Sequence, residues 1–95
     1  MDRHIVNNIC RILRKQFDSL NILNKGYYIK GFNKYGLSFV IHGYGLKSEP
    51  FEVKIIKYAH HNSDYFEYNK QFYDYKEFED YIKNQLKTDL IMLDL

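Results

Sequence analysis

Reactive and ligating side chains are few in this chain: one cysteine, Cys10, and four histidines, His4, His42, His60 and His61. A cysteine nucleophile needs a neighbouring base to hold it as thiolate, and His42 is a candidate partner. Cys10, however, falls inside the apolar run Ile5, Val6, Ile9, Ile12, Leu13. A thiol on such a stripe serves as a small hydrophobe. His60-His61 with Asp64 suggests a metal site. Yet adjacent strand residues point to opposite faces, and no second ligand pair at helical or CxxC spacing exists to complete the three or four ligands required. P-loop, GxGxxG and GxSxG patterns are missing, and Gly43-Tyr44-Gly45 is too short to cradle a phosphate. The reading is therefore of a protein that is not an enzyme, with no catalytic residues, no metal ligands and no cofactor. A small enzyme working through Cys10 or the histidines is the weakest alternative.

Residues 34–44, KYGLSFVIHGY, offer different chemistry. A basic residue, a glycine and a phenylalanine ahead of a β-branched pair resemble the strand on which RNA-recognition motifs stack bases. That use requires the aromatic side chain to point away from the core. Here Leu37, Phe39 and Ile41 share one parity, the apolar one, so Phe39 is expected inside. The chain also begins with a helical pattern rather than the strand that opens a βαββαβ fold. The resemblance does not extend beyond these residues.

Ninety-five residues make one domain, 1–95, with a single modest core. A lone cysteine suits a reducing compartment, and no segment is apolar enough to span a bilayer, so a cytoplasmic protein without membrane contact is expected. The formal charge of +2 is small for a dedicated nucleic-acid binder. Its distribution is uneven: residues 1–60 carry ten Lys/Arg against four Asp/Glu, and residues 61–95 carry four against eight.

Val6, Ile9, Leu13, Phe17 and Leu20 recur at three- and four-residue spacing, predicting an amphipathic helix capped by Asp2 and ended by Asn24-Lys25-Gly26. The period then changes to two. Residues 27–33, 37–44 and 51–59 read as strands, with a slip at Ile55-Ile56 that suggests a β-bulge. Residues 65–73 read as a hairpin around Asn69-Lys70. Asp74 and Glu77 form an acidic capping box ahead of a second helix bearing Phe78, Ile82 and Leu86. Continued through Leu90 and Leu93, this helix would reach the chain's end and leave Ile91 and Met92 outside, a seam for a homodimer through the C-terminal segment. The fold expected is α+β: a two-layer sandwich of order α-β-β-β-(β-β)-α, its antiparallel sheet of three to five strands covered on one face by both helices.

Two helices cover one side of a sheet, which leaves the other open. Its candidate contact residues are Tyr28, Lys30 and Phe32, then His42 and Tyr44, then Lys54, with Tyr58 joining if the slip is a bulge. A separate basic set, Arg11, Arg14 and Lys15, lies on the wet side of the first helix. A third surface, acidic and tyrosine-rich, gathers Tyr65, Tyr68, Tyr73, Tyr75 and Tyr81 with Asp64, Glu67, Asp74, Glu77, Glu79 and Asp80. Tyrosine offers large contact area at low entropic cost. The function this composition favours is binding without catalysis, by occupying a surface of a larger protein or nucleoprotein complex. In size and layout such a chain is comparable to phage and mobile-element inhibitors of host defence, anti-CRISPR proteins among them. The alternative is a small nucleic-acid binder using the basic helix and the sheet lysines, with weak, salt-sensitive affinity.

Overall fold

The computed structural model describes residues 1–34, 36–58 and 65–94, the side chains of Tyr58, Tyr65, Leu93 and Asp94 apart. Helix α1 spans Arg3–Gln16, and five strands follow: β1 Asn21–Asn24, β2 Ile29–Phe32, β3 Leu37–His42, β4 Phe51–Tyr58 and β5 Tyr65–Phe72. Helices α2, Tyr75–Asn84, and α3, Leu86–Asp94, end the chain. The strands form one antiparallel meander in the order β1-β2-β3-β4-β5. This is the expected α+β architecture.

Helix α1 starts where the cap predicts, with the His4 amide donating to Asp2 Oδ1 at 2.8 Å. It ends eight residues earlier than the periodicity suggests, because Phe17 turns extended (φ −124°, ψ 102°). Phe17 and Leu20 fit a helical stripe, but beyond them Asn21 and Asn24 gain little from helix, and Ile22 enters the core as the inward residue of β1. Gly26, with φ +95°, belongs to the β1–β2 turn rather than to a helix end. There its amide donates to Asn24 Oδ1 at 2.9 Å, and the Lys25 amide donates to the Tyr28 carbonyl at 2.9 Å.

The inner face is packed as the alternation requires. Ile29, Phe39, Ile41, Val53 and Ile55 are fully buried against Val6, Ile9 and Leu13 of α1 and Phe78, Ile82 and Leu86 from the C-terminal helices. Phe51 and Phe78 stack with centroids 4.6 Å apart. Gly31 lies where the Phe39 ring crosses β2: a Cβ there would sit 2.3 Å from Phe39 Cζ.

Four local expectations are corrected. No bulge interrupts β4, which pairs residue for residue with β3 and with β5, so Ile56 simply occupies an outward position opposite Ser38 and Glu67. Residues 65–72 form a single strand, with Asn69 opposite Lys54 in mid-ladder; pairing along the whole of β4 outweighs the turn preference of Asn69-Lys70. The C-terminal helix is two helices, broken at Gln85 (φ −125°, ψ −30°). The break keeps Leu86 and Leu90 buried, and the Tyr81 hydroxyl, donating to Asp89 Oδ2 at 2.6 Å, ties the helices together. Ile91 and Met92 stay exposed, and the Leu93 side chain is outside the described residues. Asp74 stands at the N-cap of α2, but its side chain makes no capping bond.

Candidate contact surface

With the helices on one side, the outer face of the sheet is open, and the register fixes its layout. One row across the strands reads Leu23, Lys30, Val40, Lys54, Asn69. The next reads Asn21, Phe32, Ser38, Ile56, Glu67. A third runs His42, Glu52, Gln71. Leu23, Phe32, Val40 and Ile56 therefore zigzag through the middle of the face as an apolar band, all of them half-buried or exposed. Charged and amide side chains flank it.

Those polar neighbours are organised in pairs. Lys54 Nζ lies 3.3 Å from Glu67 Oε1, a diagonal ion pair between β4 and β5. His42 Nε2 lies 3.1 Å from Glu52 Oε1, while Gln71 Nε2 donates to Glu52 Oε2 at 3.0 Å. The Gln71 bond, aided by His42 and opposed by burial, holds the Glu52 carboxyl below its ordinary range. Lys30 Nζ sits 5.9 Å from the centre of the Phe32 ring. The face is thus apolar at its centre and mixed in charge around it, less basic than its lysines alone suggest.

Tyr44 stands at the end of β3, at the base of the loop to β4. Its amide donates to the Glu49 carbonyl at 3.1 Å, and Leu46 and Glu49 exchange backbone bonds beyond it. Gly43 makes this closure feasible, with φ +106° and the Pro50 carbonyl oxygen only 1.9 Å from where a Cβ would be. Tyr27, Tyr28, Val40, His42, Tyr44 and Glu49 line an open cleft of about 400 Å³ at this end of the face.

The candidate residues therefore fall on two surfaces. Tyr28, Lys30, Phe32, His42, Tyr44 and Lys54 gather on the outer face and its tyrosine-lined end; Tyr58 is in β4 opposite Tyr65, its side chain outside the described residues. Arg11, Arg14 and Lys15 ride on α1, across the sheet from them. Arg11 donates to Asn8 Oδ1, and Asn8 in turn donates to the Tyr75 hydroxyl at 2.6 Å and to Glu79 Oε2 at 3.1 Å, so Arg11 buttresses the α1–α2 seam. Arg14 Nη2 reaches the Ile22 carbonyl at 3.5 Å, and Lys15 is exposed.

The acidic tyrosine set does not assemble as one surface. Tyr81 is buried, Tyr68 and Tyr75 pack against the core, and Tyr73 is exposed, while Asp64 and the Tyr65 side chain lie outside the described residues. Cys10 is 1% exposed beneath α1, and burial pushes its thiol up, against the pull of Arg14. His42 is on the other side of the sheet, so the two form no nucleophile–base pair. His60, His61 and Asp64 lie outside the described residues; among those described, no three His, Cys, Asp or Glu side chains gather as a metal site would require. No described helix is long and apolar enough to cross a membrane.

Sequence reasoning missed Leu23, in a segment read as the end of the first helix, and Ile56, Asn69, Glu67 and Gln71 as members of the face. Alternation carried unbroken through residues 51–58 and 65–72 was the signal that would have found the last four. Comparison of the chain with protein-family models, with curated proteins and with solved structures finds no match.

Proposed function

We propose that this chain is a non-catalytic binding protein that acts by laying the outer face of its sheet on a larger protein. One observation carries the reading: the described helices lie on one side, and the open side has an apolar band of Leu23, Phe32, Val40 and Ile56 framed by paired polar and charged side chains and ended by exposed tyrosines. An apolar centre with a polar rim is the usual anatomy of a protein contact. The rim pairs, Lys54–Glu67 and His42–Glu52, set orientation more than affinity. A module of this kind inhibits by occupancy, as small inhibitors of host defence carried by phages and mobile elements do, and needs no catalytic group.

Nucleic acid is the second candidate partner, through Arg11, Arg14 and Lys15. Capture from the source cell, with and without nuclease, separates the two. A protein retained after nuclease, lost with Val40→Glu and kept with Arg11→Glu/Lys15→Glu, supports the proposal. Retention that vanishes with nuclease and tracks the α1 residues refutes it.

A further inference from the structure

The sheet has two terminal strands of different character. β1 is four residues long and carries Asn21 and Asn24, whereas β5 runs eight residues, YFEYNKQF, without proline, glycine or a bulge. Natural sheets blunt their edges by shortness, proline, bulges or inward charge, because a free edge is a template for another strand. β5 has none of the first three. Its one charge on the helix side, Lys70, leans over the Tyr81 ring with Nζ 4.8 Å from the centroid, so that ammonium is engaged within its own subunit. Phe66, of the same parity, is 68% exposed.

From this edge we infer that two copies of the chain pair β5 to β5, antiparallel about a two-fold axis at Asn69, joining two five-stranded sheets into one of ten strands. Directly opposed residues of an antiparallel pair project to the same face, so keeping both helix layers on one side requires residue numbers that sum to an even value. Centring on residue 67 sets Glu67 against itself, and centring on residue 70 sets Lys70 against itself. Centring on residue 68 leaves Phe72 beyond the end of the partner's β5. Of the centres that keep most of the strand paired, residues 67 to 70, only Asn69 avoids all three. It matches Phe66 with the partner's Phe72, Tyr68 with the partner's Lys70 and Glu67 with the partner's Gln71: ring on ring, ring beside the aliphatic stem of the lysine, carboxylate beside amide donor. The exposed Phe66 ring gains a neighbour in that register. The second copy is thus selected by complementarity of the strand with itself, independently of what the outer face binds.

The test is sedimentation of the full chain up to about millimolar concentration, with far-UV circular dichroism confirming that each variant is folded. The wild type should self-associate. Gln71→Glu opposes two carboxylates at each of two symmetric points and should weaken the dimer about tenfold; Gln71→Lys opposes charges of unlike sign there and should tighten it by a similar factor. Under mild oxidation Asn69→Cys should cross-link across the axis, and Gln71→Cys should not, since its counterpart lies four residues away along the strand. A wild type that stays monomeric throughout overturns the inference. So does a dimer that Ile91→Lys breaks, through the exposed Ile91–Met92 edge of α3, while both Gln71 variants leave it unchanged.

Discussion

Replacing Gly31 by alanine tests how the sheet's inner face is packed. The backbone tolerates it, since Gly31 is not among the glycines with positive φ. The space does not: the new methyl would lie 2.3, 2.4 and 2.9 Å from Cζ, Cε1 and Cε2 of Phe39, where carbon–carbon contact is relaxed at about 3.5–4.0 Å. Phe39 is fully buried, so its ring has to move by an ångström or more into side chains that are themselves enclosed. Overpacking of this kind costs about 1–3 kcal/mol, and replacing a strand glycine by alanine returns less than about 1 kcal/mol. A net loss of about 1–2 kcal/mol is expected, which lowers Tm by roughly 4–16 °C in a domain of this size. Thermal and urea melts measure it, and Phe39→Leu supplies the control. Shrinking the ring should relieve the clash, so the double variant is more stable than the two single losses summed, by at least about 1 kcal/mol. A neutral Gly31→Ala, or strict additivity with Phe39→Leu, refutes the packing described for β2 and β3.

Tyr81→Phe removes the bond to Asp89 that joins α2 to α3 and should cost about 1–2 kcal/mol in a urea melt, with helix content retained. Glu52 is held below its ordinary range, so the stability it contributes is present above that range and is lost as pH falls through the depressed value. Stability measured from neutral to acidic pH should therefore fall more steeply for the wild type than for Glu52→Gln. Cys10 should resist thiol reagents in the native state and react only as denaturant opens the fold, because it is enclosed and its thiol is pushed up. Rapid modification without denaturant would show that α1 does not seal it.

The middle of the fold was legible because its residues agree at every level. Leu37, Phe39 and Ile41 alternate with Ser38, Val40 and His42 between turn signals, and each is buried or outward as that alternation requires. Misreadings arose where one residue satisfies two patterns. Phe17 and Leu20 lie on a helical stripe, yet the chain turns extended at Phe17 and Ile22 is buried from a strand. Ile55-Ile56 looks like a slip because both are apolar, although Ile56 is an ordinary outward residue of an open sheet face. Asn69-Lys70 carries turn chemistry that eight cross-strand pairs override. The candidate face was legible in part: its tyrosines and lysines follow from parity, but the Lys54–Glu67 and Glu52–Gln71 contacts depend on which strand pairs with β4 and in what register. A single sequence does not contain that register.

The central claim, that the outer face makes the functional contact, is tested most directly by the affinity of face variants for the captured partner, with circular dichroism confirming the fold of each. Tyr44→Ala, Phe32→Ala and Lys54→Glu should each weaken binding, the aromatic pair by about tenfold or more, as loss of aromatic contact area at about 1.4 kcal/mol per decade requires. Arg11→Glu and Lys15→Glu, on the far side of the molecule, should leave it unchanged. Face variants that bind like the wild type, with α1 variants that do not bind, would contradict the account and place the contact on the helical side.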